Sequence, residues 1–162
     1  MASESAPRPP LAETAVCAPA LPGSLEALHG ALARFWEAVD AALARPPDSA
    51  HRQRLETAVM EVATNIIRHA HPPGAPPGAM HLRLRAHADR IEARFTDRGL
   101  AFRPSEPPPG PEDEPADPLE IPEGGYGLAL VRATVDEVDY ERSDEGTNVW
   151  RLITWLNGPP PA

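Results

Sequence analysis

The sequence predicts an α+β two-layer sandwich, a mixed, mostly antiparallel sheet with helices on one face. Three observations carry this. Two long stretches repeat apolar residues at helical spacing, and a later stretch alternates apolar with polar residues over two runs joined by a tight turn. A third helical stretch then leads into two short strand-like runs. At 162 residues the chain has the size of one globular domain with modest tails.

Met1–Pro10 is polar and proline-rich, and residues 1–20 are expected to be a flexible segment carrying a short first strand at Leu11–Ala18, stopped by Pro19. Ser24 is placed as the N-cap of the first helix. Its Leu25, Leu28, Leu32, Phe35, Trp36, Val39 and Leu43 recur at helical spacing until Pro46-Pro47. Asp48 or Ser49 caps a second helix reaching about Ala70, with Leu55, Val59, Val62 and Ile66 as its buried stripe. Met80, Leu82, Leu84 and Ala86 then alternate with His81, Arg83, Arg85 and His87. After a turn near Ala88-Asp89-Arg90, Ile91, Ala93 and Phe95 alternate with Glu92, Arg94 and Thr96, so the pair reads as a hairpin covered on one side. Residues 104–123 are dense in proline and acids, including Glu112-Asp113-Glu114, and read as a mobile loop. A third helix follows Gly127, with Leu128, Val131 and Val135 on one side. Strands near Val138–Arg142 and Thr147–Leu156 complete the domain, placed at 21–156, and 157–162 is a tail.

Charge and composition exclude several functions. There are 24 Asp+Glu against 15 basic residues, a formal net charge of -9, and every basic residue is arginine. A P-loop lysine and a Schiff-base lysine are therefore absent. An acidic chain with no basic cluster is a poor ligand for nucleic acid or an anionic membrane. Cys17 is the sole cysteine, which excludes an intrachain disulfide and a cysteine-based zinc site. Because His81 and His87 lie about 20 Å apart along a strand, no transition-metal site is expected. No apolar run approaches a membrane span and Met1–Pro10 lacks the pattern of a signal peptide, so a cytoplasmic protein is expected.

Three segments are polar or glycine-rich where packing alone does not require it. Glu61 and Asn65 share a face of the second helix, with Arg68 and His69 one turn further on. A carboxamide oxygen there can ligate Mg²⁺ while a carboxylate accepts a proton; a solvated polar stripe is the plainer alternative. Arg68 and His69 serve either a phosphate or the C-terminal end of the helix dipole. Asp97-Arg98-Gly99 ends a strand, either as turn chemistry or as an acceptor for a ligand amine. Glu123-Gly124-Gly125-Tyr126-Gly127 runs into a helix, either as a hinge or as a phosphate cradle.

Together these segments, followed by Gly146-Thr147 before the last strand, resemble the GHKL (Bergerat) ATP-binding fold, the histidine-kinase-like ATPase domain. Within it, "EVATNIIRHA" and "GGYGLALVRATVDEVDY" are similar to the bacterial anti-sigma factor serine/threonine-protein kinases, over about Leu21 to Leu156. The resemblance implies ATP and Mg²⁺ as ligands. It assigns the Mg²⁺ to Asn65, the general base to Glu61, and the acceptor for the adenine amine to Asp97, with Gly99 giving the base room. Gly125 and Gly127 would lie by the phosphates, Thr147 would support the adenine site, and 104–123 would be the ATP lid. Ala101 replaces the last glycine of the usual Asp-x-Gly-x-Gly, and nothing between Arg103 and Arg132 is basic. The implied partners are an anti-anti-sigma antagonist as phosphoacceptor, a sigma factor for sequestration, and a second copy of the chain in a homodimer. The competing expectation, drawn from the acidic lid, is a non-catalytic nucleotide-gated binding module.

Overall fold

A computed structural model describes residues 8–103 and 126–159. Within them the chain runs β1 (Ala12–Pro19), a 3-10 turn (Pro22–Ser24), α1 (Leu25–Ala42), α2 (Ser49–His69), β2 (Ala79–Ala86), β3 (Arg90–Asp97), α3 (Tyr126–Thr134), β4 (Glu137–Arg142) and β5 (Asn148–Trp155). The strands form one sheet in the order β1-β2-β3-β5-β4. Among the described residues every pairing is antiparallel, so the sheet is not mixed. The expected lid at 104–123, and Gly125, lie outside the described residues. Among the described residues no helix is long and apolar enough to cross a membrane.

The apolar stripe of α1 buries Leu28, Ala31, Leu32, Phe35, Trp36 and Val39, and that of α2 buries Leu55, Ala58, Val59, Val62, Ala63 and Ile66. These meet Met80, Leu82, Leu84 and Ala86 of β2, Ile91, Ala93 and Phe95 of β3, and Trp150 and Leu152 of β5 in one core. Truncating a fully buried ring such as Phe35 or Phe95 costs about 3–5 kcal/mol. α1 lies over β1 and β2, α2 over β3 and β5, and α3 packs along α2. The opposite sheet face carries the polar alternates. Arg83, Arg94 and Arg151 stand in one cross-strand row there, interleaved with the Arg85–Glu13 and Arg151–Glu92 pairs.

The two long helices begin differently. Ser24 does not cap α1 with its side chain: it is buried, already helical at φ −76° and ψ −13°, and its N–H bonds back to Leu21 O within the 3-10 turn. Entry through that turn removes the extended backbone that a capping side chain requires. Asp48 is the cap of α2, with extended backbone and a carboxylate accepting from His51 N–H at 2.8 Å. Asp48→Ala should lower stability by about 1 kcal/mol, read as an earlier urea midpoint with an unchanged m-value.

His51 also packs its ring against β5, its Nε2 3.0 Å from Thr154 Oγ1. Burial, with Arg54 nearby, holds its pKa below the ordinary histidine value. Protonation therefore favours the unfolded chain, and this contribution, fully present above the unfolded pKa, is lost as pH falls through the lowered one. The drop in melting temperature between pH 7 and pH 5 should be smaller in His51→Gln than in the wild type.

Candidate functional site

A cleft of about 490 Å³ opens where the C-terminal half of α2 meets the end of the sheet. Asn65, Ile66 and His69 of α2 and its C-cap Ala70 form one wall. Asp97, Asn148 and Trp150 form the other, and Leu100, Ala101, Phe102 and Arg103 close the rim. The position follows from helical and strand geometry together. Residues 61, 65 and 69 succeed one another along one side of α2, while residues 62 and 66 face the core. On the sheet, the inward-facing row that ends the apolar core places Asp97 between Met80 and Asn148.

Asp97 is only 4 % exposed, so hydrogen bonds must replace the water it loses. Its Oδ1 accepts from Gly99 N–H at 2.7 Å and from Asn148 Nδ2 at 2.8 Å. No buried side-chain oxygen or nitrogen among the described residues lacks a partner; Oδ2 has no protein donor among them, and Asp97 lines the cleft. Behind it, the Phe102, Tyr140 and Trp150 rings pack with centroids 4.7–5.5 Å apart. Edge-on and tilted packing of this kind makes a rigid apolar floor.

Asn65, His69 and Asp97, all singled out from the sequence, line this cleft, whereas Glu61 and Gly127 are not among its lining residues. Asn65 and Asp97 line opposite walls. Glu61, one turn before Asn65 and half-buried, lies against the first turn of α3, where a Cβ on Gly127 would stand 3.1 Å from Glu61 Oε2. Gly127 therefore lets the N-terminal turn of a nine-residue helix approach the carboxylate closely.

Other residues singled out from the sequence stand apart from the cleft lining. Gly99 is buried, and its missing side chain makes room for protein: a Cβ there would stand 2.3 Å from Ala70 O. The turn after β3 closes on the end of α2 at this point, with Leu100 N–H donating to Ala70 O at 2.7 Å. Thr147 does not line the cleft but sits in the turn before β5, its N–H bonded to Ser143 Oγ. Strand alternation explains it, since buried Trp150 and Leu152 put Asn148 on the inner face and Thr147 off it. Arg68 is exposed in the last turn of α2 and is not among the lining residues, whereas His69 is. Ala101 lines the cleft without strain, because no non-glycine residue described has positive φ.

Asn148 and Arg103 are the polar lining residues that the motifs missed, beside the aromatic Phe102 and Trp150. The period-2 pattern through Trp150 and Leu152 would have found Asn148. Nothing local marks Arg103, which gives the cleft mouth a guanidinium at the root of the acidic segment.

The layer order and a cleft between the long helix and the end of an antiparallel sheet define an α+β two-layer domain, as the resemblance to the GHKL fold implied. Residues 21–153 match the model of the histidine kinase-like ATPase domain, and the chain belongs to that family. It is 34 % identical over 104 residues to the serine/threonine-protein kinase BtrW of Bordetella bronchiseptica, covering 62 % of this chain and 66 % of that protein. It is 35 % identical over 97 residues to the serine-protein kinase RsbW of Halalkalibacterium halodurans, covering 57 % of this chain and 56 % of that one. RsbW of Bacillus licheniformis is 31 % identical over 105 residues, 64 % of each chain. The chain thus matches between about half and two thirds of the length of these relatives.

Gly99→Ala should be destabilising by about 1–3 kcal/mol through overpacking against Ala70, measured by chemical denaturation.

Proposed function

We propose that this chain is an ATP- and Mg²⁺-dependent serine/threonine protein kinase of the partner-switching type. It phosphorylates a small anti-anti-sigma antagonist in the cytoplasm and sequesters a sigma factor, as a homodimer. The observation that carries the reading is that Asn65 and the Asp97 carboxylate line one cleft, with the Glu61 carboxylate one helical turn before Asn65 and beside Gly127. The named serine and serine/threonine kinases among its relatives support the reaction class.

In this reading Asp97 Oδ2 accepts a hydrogen bond from the exocyclic amine of adenine, and the aromatic floor excludes water behind the base. Asn65 contributes an amide oxygen to Mg²⁺, a hard cation that takes oxygen ligands and neutralises phosphate charge. The first turn of α3, with Gly127, presents backbone N–H groups to the phosphates, and Gly125 precedes it in sequence. Arg103, at the cleft mouth, offsets part of the charge of the acidic segment that follows it in sequence. Glu61 takes the proton from the partner's serine or threonine hydroxyl. That oxygen then bonds to the γ-phosphorus as the bond to the β-phosphate oxygen breaks, and ADP leaves.

Calorimetric titration of Mg²⁺·ATP should show saturable binding to the wild type and its loss in Asp97→Asn; a wild type that does not bind would end the reading. With the antagonist protein and labelled ATP, Glu61→Gln should reduce phosphate transfer by at least about 100-fold while leaving ATP affinity within a few-fold. Transfer at the wild-type rate in that variant would remove Glu61 as base. A wild type that binds ATP yet never labels the antagonist would favour the nucleotide-gated binding module.

A further inference from the structure

The carboxamide of Asn148 is 2 % exposed and uses both ends. Its Nδ2 donates to Asp97 Oδ1 at 2.8 Å, Leu100 O at 3.0 Å and, more loosely, Gly99 O at 3.3 Å. Its Oδ1 accepts from the Tyr140 hydroxyl at 2.7 Å and from Arg142 at 2.5 Å. Arg142 also donates to Gly99 O at 2.9 Å, and the Tyr140 hydroxyl accepts from Phe102 N–H at 2.8 Å. The sheet register imposes this order, because Asp97, Asn148 and Arg142 are direct cross-strand neighbours on β3, β5 and β4.

A carboxamide can pack in either of two orientations, and this environment permits one. Turning it over would set oxygen against the Asp97 carboxylate and nitrogen against the Arg142 guanidinium. The two donors of β4 therefore hold the NH₂ end toward β3. With Gly99 N–H and Asn148 both on Oδ1, Oδ2 is the oxygen of Asp97 left to meet a ligand.

We propose that Asn148, held by Arg142 and Tyr140, is the positioning residue that sets the base selectivity of this cleft. By occupying Oδ1 it aims Oδ2 at the group on C6 of a purine, so an amine is accepted and a carbonyl is refused. The proposal rests on the reading of the cleft as an adenine-nucleotide site.

The test compares ATP with inosine triphosphate, in which a carbonyl replaces the C6 amine and N1 carries a proton, by calorimetric titration with Mg²⁺ into wild type, Asn148→Leu and Tyr140→Phe. The wild type should prefer ATP by at least about tenfold. Asn148→Leu should shrink that preference to about threefold or less through loss of ATP affinity, and Tyr140→Phe should give an intermediate ratio. A purely structural role would weaken both nucleotides equally, so an unchanged ratio in the variants overturns the proposal alone. If Asn148→Leu does not fold, Tyr140→Phe decides, and a wild-type ratio there overturns it. A wild type that binds neither nucleotide overturns the adenine reading and this proposal with it.

Discussion

A carboxylate that is almost wholly withdrawn from solvent persists only where donors replace its water, and Asp97 sets this requirement at the centre of the site. Its two donors come from different parts of the chain. Gly99 N–H is supplied by the tight turn after β3, and Asn148 Nδ2 by a strand 51 positions later. The β3–β5 register must hold to the residue, because a slip of one would carry Asn148 to the opposite face and leave the carboxylate buried without it. The same turn brings Gly99 against Ala70, so the end of α2 and the end of β3 are fixed by one contact.

From that junction α2 works as a two-sided element. Its buried stripe sits in the core, and Glu61, Asn65 and His69 project from rigid helix on the neighbouring side. Placement on a packed helix and on strand ends holds the polar groups more tightly than loops would. The approach of α3 to Glu61 depends on Gly127, where any side chain would press on the carboxylate oxygen. Cleft charge follows the same economy of position, with the Arg103 guanidinium at the mouth in an acidic chain.

The outer sheet face obeys different rules. Like charges directly opposite one another destabilise a sheet, yet Arg83, Arg94 and Arg151 are cross-strand neighbours. Glu13 beside Arg83 and Arg85, and Glu92 and Asp139 beside Arg151, relieve part of that repulsion. Exposed pairs of this kind contribute about 0–1 kcal/mol each. Their effect is on register and solubility more than on stability, which the helix-covered face supplies.

Local pattern determined the secondary structure of this protein and the identity of its polar segments. Helical spacing from Leu28 to Val39 and from Leu55 to Ile66, alternation from Met80 to Phe95, and proline stops placed the elements within a few residues. Those patterns are properties of neighbouring residues and need no knowledge of the fold. Asp97 was likewise legible because it ends an inward-facing apolar row, and Glu61 and Asn65 because their spacing of four puts them on one face of α2 beside its buried stripe. Tertiary structure alone decided what these groups touch. The 3-10 turn removed Ser24 as a cap, the end of α2 gave Gly99 its reason, and the β3–β5 register put Asn148 rather than Thr147 beside Asp97. Arg103 entered the cleft only once the turn had closed on Ala70. Each depends on residues distant in sequence becoming neighbours, which spacing along one chain does not encode.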